Sequence, residues 1–360
     1  MGISNKRMIG FDLARALAIF GMVVVNYKIA LHAEESSPQW LDALTGLIEG
    51  RAAAIFVILA GIGISLMSKK AWKDEKDRTH IHSLRQQIWK RSFFLLILGT
   101  GLYLLGWSAD ILHYYAVYLF IASFFLTSSS RVLLWAATCS LLIAQLLQFL
   151  GDYTYGWDST FQTFQLFWSP LGFLSNLFYN GYHPIFPWIA FVFFGMWLGR
   201  FDFNQPHVKR KLLFISTTIA ILVQASSYLL IQLTSPIIGT ELAEYFFTTK
   251  PMPPTLFYMI ASSSTSVLII LLCIYLSEQF RKHIMMKALV YTGQLALTHY
   301  VGHFLFLVVL YLVGVPEYAS LPLAVGSSLL FFTLSIVLSY WWRTYLVRGP
   351  IEYAMRKVSG

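Results

Sequence analysis

Four polar residues interrupt or follow the first apolar stretch of the sequence at spacings that suit catalysis. Asp12 and Arg15 are three residues apart, so they share one face of a helix and can pair. Asn26 lies eleven residues beyond Arg15, almost three turns along the same face, and His32 follows near the end of the stretch. Because a charge at the centre of a membrane helix costs at least ~2.5 kcal/mol, these residues are candidates for a functional site. The alternative is a structural ion pair, with Arg15 reaching the lipid headgroups.

A second group of polar residues lies between the third and fourth apolar runs. Asp110 and His113 are three residues apart, which lets a carboxylate orient an imidazole if the stretch is helical. Asp110 is equally suited to cap the following helix, with His113 and the adjacent Tyr114 and Tyr115 in an aromatic belt. The two roles are compatible.

A third group consists of His299 and His303, four residues apart and therefore on one helical face. This spacing can bind a metal, but no HExxH glutamate and no clear third ligand accompany it. Cys139 and Cys273 fall inside apolar runs and lack any CxxC or Cys/His spacing. We therefore expect no metal site, zinc included, and no disulfide framework.

The composition identifies the elements that must position these residues. Of 360 residues, 57% are hydrophobic and only 12% are charged, whereas soluble domains carry about 25% charge. The apolar residues occur in runs of about 20, the length of a membrane-spanning helix, which excludes a soluble enzyme. Lys and Arg exceed Asp and Glu by nine and sit between the apolar runs, which is typical of membrane topology and not of nucleic-acid binding.

The hydrophobic pattern predicts an all-α, polytopic bundle that forms one domain over residues 1–360. The positive charges place both termini in the cytoplasm, together with a basic loop at 69–91. An aromatic outer loop at 151–183 is expected to fold at the membrane surface and to cap a cavity. Gly61 and Gly63 are expected to allow close helix packing. The ten predicted spans are 8–31, 51–68, 92–108, 110–128, 131–150, 184–200, 211–233, 255–277, 294–314 and 320–342.

Five motifs, in order, resemble the YeiB-like family of transmembrane proteins. That family is similar to the heparan-alpha-glucosaminide N-acetyltransferases and, more distantly, to membrane acyltransferases that O-acetylate surface polysaccharides. The resemblance covers nearly the whole chain. The motifs are the opening FDLARALAIFGMVVVN, the DILHYY segment from Asp110, GMWLGR from Gly195, GQLALTHY from Gly293 and RGPIE from Arg348.

The resemblance implies a transferase that passes an acyl group, acetyl in the first instance, from cytoplasmic acyl-CoA to an extracytoplasmic sugar. Asp12, Arg15 and Asn26 match the family's first-span Asp, Arg and Asn, and His32 resembles the catalytic histidine, although it is closer to Asn26 than in the heparan enzyme. The polysaccharide acyltransferases carry a histidine where this chain has Asn26. His113, at a position where the heparan enzyme has glutamine, is the alternative catalytic histidine.

Acyl transfer from a thioester needs a base or a nucleophile, and a neutral histidine can serve as either. Asn26 is suited to donate to the oxyanion, while Asp110 or Glu34 is suited to hold the imidazole tautomer. The residues expected to contact acetyl-CoA or another acyl-CoA are Asp12, Arg15, Arg51, His299, Tyr300 and part of the basic loop.

These features also predict the setting of the protein. We expect a bacterial cytoplasmic membrane, contact with lipid and with a sugar or similar hydroxyl or amine acceptor, and no nucleic-acid partner; a homo-oligomer is compatible with the sequence. Two other functions stay open: a transporter or exporter with an Asp, Arg and His path, and a non-catalytic membrane scaffold.

Overall fold

The structure is a computed structural model that describes residues 7–33, 38–69, 72 and 78–360. Helices dominate these ranges, and the only β pairing within them is an isolated bridge between Trp157 and Phe164. The all-α class predicted from the sequence is confirmed. The helices are α1 Ile9–Ala30, α2 Gln39–Gly46, α3 Arg51–Met67, α4 Arg78–Leu104, α5 Leu112–Ala122, α6 Ser130–Leu150, α7 Pro170–Ser175, α8 Ile185–Leu198, α9 Pro206–Ile238, α10 Thr240–Phe247, α11 Leu256–Gln279, α12 Ile284–Gln294, α13 Ala296–Leu312, α14 Leu321–Tyr345 and α15 Pro350–Ser359.

In the described chain, six helical segments are long and apolar enough to cross a membrane. The number rises to eight if each of two bent helix pairs forms one span. One pair joins Pro170–Asn180 to α8 with a bend of 43°, and the other joins α12 to α13 with a bend of 81°. The remaining two of the ten predicted spans correspond to part of α4 and to the short segment Leu112–Phe125. Helix α4 differs from the predicted span 92–108 because it begins earlier, at Arg78 in the basic segment. Its N-terminal half is therefore charged.

The predicted basic loop at 69–91 is helical from Arg78 onward, because α4 extends through it. Lys70, Lys73 and Lys76, which belong to the same charge cluster, lie outside the described residues. The positive charge of this segment therefore sits partly on a helix and not on a free loop.

The chain divides into two compact units, the first made of Met1–Phe56 and Ser266–Ala354. Helix α1 packs against α12, α13 and α14 of this unit, and glycines on α1 and α12 allow the helices to approach closely. A β-carbon at Gly10 would lie 2.6 Å from the Cα of Ile274, and one at Gly293 would overlap the carbonyl oxygen of Asp12. The aromatic ring of Phe20 stacks on Phe332 of α14 at 4.6 Å.

The second unit comprises Val57–Thr265 and Met355–Gly360. Gly61 and Gly195 pack α3 against α8, with a β-carbon on Gly195 lying 3.1 Å from the Cα of Gly61. Gly63 has open space where its side chain would be, so only the first of the two glycines predicted to allow packing does so. Gly99 brings α4 against the start of α5, as described with the site below.

The segment from 151 to 183 has a folded structure of its own. Trp157, Phe164 and Phe167 form a small buried cluster within it. The fully buried Asn180 donates to the carbonyls of Tyr153 at 3.0 Å and Tyr155 at 2.7 Å, which ties the two ends of the segment together. Internal hydrogen bonds thus replace those that a disordered linker would make with water.

Candidate active site

Asp110 and His113 form a buried carboxylate–imidazole pair in the second unit. The Nδ1 atom of His113 lies 2.9 Å from Oδ2 of Asp110, and both side chains are almost completely inaccessible to solvent. Since a carboxylate can only accept a hydrogen bond, Nδ1 carries the proton and donates it in that bond, and the pair fixes the tautomer in which Nε2 carries the lone pair. Nε2 is also buried, and within the described residues it has no hydrogen-bond partner.

The local sequence explains how this pair is assembled. Gly106 adopts a positive φ of 94° and ends α4, with its amide donating to the carbonyl of Tyr103 at 3.0 Å. The chain then turns back, and Asp110 accepts the backbone amide of His113 at 3.0 Å near the start of α5. A β-carbon on Gly99 would lie 2.5 Å from Oδ2 of Asp110, so only glycine leaves room for the carboxylate. The capping contact and the orienting contact predicted for Asp110 therefore coexist.

Aromatic and amide side chains surround the imidazole. The ring of Tyr114 lies 3.9 Å from that of His113, and its hydroxyl donates to Oδ1 of Asn176 at 2.5 Å. Tyr103 contacts His113 edge-on at 6.0 Å. Asn176 lies in the π-helical turn Asn176–Asn180, so the segment 151–183 contributes directly to the walls of the site.

His183 is a second histidine of this region that the sequence did not single out. Its carbonyl accepts the hydroxyl of Tyr118, and its ring lies 6.0 Å from Tyr114 and 4.6 Å from Trp188. Nδ1 of His183 and Nε1 of Trp188 are both buried without a partner in the described chain. Such orphaned polar atoms are expected where a ligand or water binds. The contacts with Tyr114 and Tyr118 span more than sixty residues of sequence, so no local spacing predicts them.

In the first unit, the structure brings Asn26 together with His303 and not with His32. Nδ2 of Asn26 lies 3.1 Å from Nε2 of His303, and the hydroxyl of Tyr27 donates to the backbone carbonyl of His303 at 2.9 Å. His303 is 1% exposed, whereas Asn26 is half-buried. The sequence shows His303 only as the partner of His299 on one helical face.

Asp12 is buried at the centre of a cationic cluster at the start of α1. Arg7 binds its carboxylate with two contacts of 2.8 Å, and Arg15 adds one of 3.1 Å. Gln294 donates to the same carboxylate at 3.2 Å. The predicted pair of Asp12 and Arg15 therefore exists, but two arginines face one aspartate and leave a net positive charge.

His32 lies at the end of α1 with a positive φ of 43°. Its Nε2 is 3.4 Å from the carboxylate of Glu317, and its ring stacks on Tyr318 at 4.8 Å. Glu34, predicted as an alternative partner for the catalytic imidazole, falls outside the described residues. His32 thus has an acidic partner, but one supplied by the loop before α14.

The other residues predicted to bind acyl-CoA have structural neighbours within the first unit. Nη1 of Arg51 donates to the carbonyl of Leu47 at 3.1 Å. His299 is buried, with Nε2 2.6 Å from the hydroxyl of Ser339, and Tyr300 is 2% exposed. No group of three or more His, Cys, Asp or Glu side chains suited to a metal occurs among the described residues.

The two units therefore carry different chemical groups. The second unit holds an oriented imidazole with a buried lone pair, as required of a general base or a nucleophile. The first unit holds a half-buried amide donor and a cationic cluster, as required for binding an anion.

Comparison with known proteins supports the family that the five sequence motifs resemble. A family model described as heparan-alpha-glucosaminide N-acetyltransferase, catalytic, matches residues 7–233. A second model, described as a protein of unknown function (DUF418), matches residues 196–360. No curated protein matches the sequence. Since the first model covers more than half of the chain, the protein belongs to the YeiB-like family of transmembrane proteins related to heparan-alpha-glucosaminide N-acetyltransferase.

Proposed function

We propose that this protein is an acyltransferase of the bacterial cytoplasmic membrane. It takes an acyl group, acetyl in the simplest case, from cytoplasmic acyl-CoA and transfers it to a hydroxyl or amine of an extracytoplasmic glycan. Membership of an acetyltransferase family supports the reaction class. The helices long and apolar enough to cross a membrane support the setting.

The observation that carries the proposal is the buried pair of Asp110 and His113. A carboxylate that fixes the imidazole tautomer and leaves a buried Nε2 lone pair is the arrangement that activates a hydroxyl or amine for attack on a carbonyl. Nε2 makes no hydrogen bond within the described residues, so its lone pair can take the proton of an acceptor. His32 is more exposed, and its ring is held by Tyr318 and Glu317. The proposal therefore places the catalytic histidine at His113.

The reaction balances without any further reagent. Nε2 of His113 takes the proton of the acceptor hydroxyl or amine while the acceptor attacks the thioester carbonyl, which forms a tetrahedral oxyanion. The C–S bond then breaks, and the departing CoA sulfur receives the proton from the imidazolium. Alternatively, Nε2 attacks the thioester first, the C–S bond breaks and CoA leaves as the thiolate. The acceptor then attacks the acylated imidazole, the C–N bond breaks, and the freed Nε2 takes the acceptor's proton, which balances the proton taken up by the CoA thiolate.

The cationic cluster around Asp12 is the proposed binding site for the CoA phosphates. The side chain of Arg15 is 28% exposed and directs only Nη1 at Asp12, so its other donors are available to an anion. Arginine binds phosphate in a bidentate manner, and the net positive charge of the cluster favours such a ligand.

The first experiment measures the melting temperature of the full-length, detergent-purified protein with acetyl-CoA, together with CoA release in the presence of glucosamine as a soluble probe. A ligand that binds only the folded state adds about 2.7 kcal/mol at a hundredfold excess over its Kd. We expect a saturable rise in melting temperature and CoA release from wild type. His113→Ala should keep the rise and lose release, and His32→Ala should keep both.

The outcomes separate the competing functions. Loss of CoA release in His32→Ala but not in His113→Ala would overturn the assignment of the catalytic histidine. No change in melting temperature and no CoA release with acetyl-CoA or longer acyl-CoAs would contradict the acyltransferase and favour the transporter or the scaffold. Acyl label retained on wild type but not on His113→Ala would identify the route through an acylated histidine.

A further inference from the structure

Two side chains of the second unit, His183 and Trp188, carry buried nitrogen atoms that the protein leaves without a hydrogen bond. Neither Nδ1 of His183 nor Nε1 of Trp188 has a partner among the described residues. Their rings contact each other edge-on, with centroids 4.6 Å apart. Trp188 is 1% exposed, whereas His183 is half-buried. Because burial of an unpaired polar atom is unfavourable, two such atoms on touching rings indicate a place that a ligand completes.

These two residues belong to the neighbourhood of the proposed catalytic imidazole. The ring of Tyr114 contacts both histidines, lying 3.9 Å from the ring of His113 and 6.0 Å from that of His183. The charges of Asp110 and His113 also act on His183. A ligand that reaches Nε2 of His113 therefore has His183 and Trp188 beside its path within the same unit.

The chemistry of the two nitrogen atoms selects the ligand group. An indole N–H can only donate, so Trp188 needs an oxygen that accepts. An imidazole nitrogen donates or accepts according to the tautomer, and a hydroxyl suits both cases because it has one O–H bond and two lone pairs. The negative charge of Asp110 disfavours a phosphate or a carboxylate in this place. Aromatic walls with a few polar groups are typical of sites for small neutral molecules.

We propose that His183 and Trp188 form an acceptor subsite, which binds a hydroxyl of the acceptor other than the group that reacts. The reacting group gives its proton to His113, so a second polar group of the same molecule is needed to complete His183 and Trp188. Both residues touch the acceptor and take no part in proton transfer, and the acyl-CoA does not bind to them. The inference rests on the proposed function, because it concerns the acceptor of that reaction.

Two variants remove one nitrogen each and keep an aromatic ring: His183→Phe and Trp188→Phe. In steady-state CoA release with acetyl-CoA and glucosamine, KM for glucosamine should rise about 3- to 10-fold, the effect of losing one neutral hydrogen bond. KM for acetyl-CoA should stay unchanged. Ser140→Ala is the matched control, because the Ser140 hydroxyl donates to the carbonyl of Pro187, the residue before Trp188, at 3.4 Å. It should leave both KM values unchanged.

A second probe tests the subsite from the side of the ligand. Cyclohexylamine has the amine and a six-membered ring but no hydroxyl, so it cannot use the subsite. Its KM should exceed that of glucosamine in wild type and should be the same in wild type, His183→Phe and Trp188→Phe. A rise in its KM equal to that for glucosamine would show that the variants disturb the site in general, and would overturn the inference.

The stability of the free protein separates an acceptor subsite from a structural water. The His183 side chain makes no hydrogen bond within the described residues, and the His183 carbonyl that accepts the Tyr118 hydroxyl is kept in His183→Phe. The melting temperature without ligand should therefore not fall. If a buried water instead bridges the two nitrogen atoms, His183→Phe would lower the melting temperature and leave KM for glucosamine unchanged, which would overturn the inference.

A last readout does not depend on turnover. Nitrogen NMR of tryptophan-labelled, full-length protein in nanodiscs, assigned by difference with Trp188→Phe, should show the Trp188 N–H signal shift with glucosamine and not with cyclohexylamine. CoA release from wild type with no such shift, or with equal KM for glucosamine in wild type and both variants, would overturn the subsite and leave the proposed function intact. No CoA release from wild type would contradict the proposed function, and the subsite with it.

Discussion

One carboxylate oxygen of Asp110 serves both the backbone and the side chain of His113. Oδ2 accepts the amide of His113 at 3.0 Å and its Nδ1 at 2.9 Å. The start of α5 and the orientation of the imidazole therefore depend on the same atom. Loss of this oxygen should therefore disturb the start of the helix and the imidazole together.

Asp110→Asn should test the charge of this group. The asparagine oxygen can take the place of Oδ2 and keep both contacts, so the melting temperature should change little. A neutral amide does not stabilise the imidazolium that forms when Nε2 takes a proton, so we expect kcat for CoA release to fall about 10²- to 10⁴-fold. Asp110→Ala, which loses both contacts, should lower kcat and the melting temperature together. Unchanged kcat in Asp110→Asn would mean that the charge of the carboxylate does not contribute to turnover.

Gly99→Ala should damage the site from the neighbouring helix. The new methyl group would lie 2.5 Å from both Oδ2 of Asp110 and the backbone nitrogen of His113, so α4 and α5 must separate. Overpacking of this kind costs about 1–3 kcal/mol, which thermal unfolding would detect. Gly101→Ala is the matched control on the same helix, because nothing lies within 4 Å of its β-carbon. Equal stability and activity of the two variants would refute the close approach.

Arg15→Ala should weaken binding of acetyl-CoA and leave turnover at saturation unchanged. A hydrogen bond to a charged group contributes about 1.5–3 kcal/mol, so Kd should rise roughly tenfold or more. Titration calorimetry of the purified protein measures this directly. Arg15→Lys keeps the charge but not the bidentate geometry, so its Kd should lie between those of wild type and Arg15→Ala. The same Kd for wild type and Arg15→Ala would place the CoA phosphates elsewhere.

Asp158 should make the segment 151–183 sensitive to acid. Partial burial acts to raise the pKa of Asp158, but hydrogen bonds from the amides of Gln162, Thr163 and Thr160 and from the Thr160 hydroxyl outweigh it and lower the pKa. A lowered folded-state pKa gives stability that is fully present above the unfolded pKa, about 3.9, and is lost as pH falls through the folded value. Pepsin cleavage within 151–183 should therefore accelerate below about pH 4.

The control for this prediction is Asp158→Asn, which cannot change charge with pH. In this variant, cleavage within 151–183 should be faster than in wild type at the highest pH at which pepsin is active. The cleavage rate should show no further acid-induced increase as pH falls. An acid step of the same size in both proteins would assign the effect to another group.

The sequence predicts the features of the site that depend on local spacing. Asp12 and Arg15, three residues apart on α1, contact each other directly, and so do Asp110, just before α5, and His113 within it. The first contact is predictable because a helix brings residues three and four positions apart onto one face. The second is predictable because a carboxylate just before a helix accepts the amides of its first turn. The family motifs can be recognised in the sequence because each is a short continuous stretch.

Contacts between distant segments could not be predicted in this way. Asn26 and His303 are 277 residues apart, and their meeting depends on how α1 packs against α13. Glu317, the partner of His32, comes from a loop whose position no periodicity determines. The 81° bend between α12 and α13 lies at the start of the predicted span 294–314, so the hydropathy pattern predicts α13 but not its pairing with α12 across the bend.

Asn26 and Tyr27 are consecutive on α1, and both bind His303 of α13. Asn26 contacts the imidazole ring, and Tyr27 donates to the backbone carbonyl. Neighbouring residues on a helix point about 100° apart, so the two bonds hold together only at one rotation and one height of α1. If α1 slides by one turn along α13 or rotates by one residue, both hydrogen bonds break at once. A displacement that keeps both hydrogen bonds must therefore move α1 and α13 together.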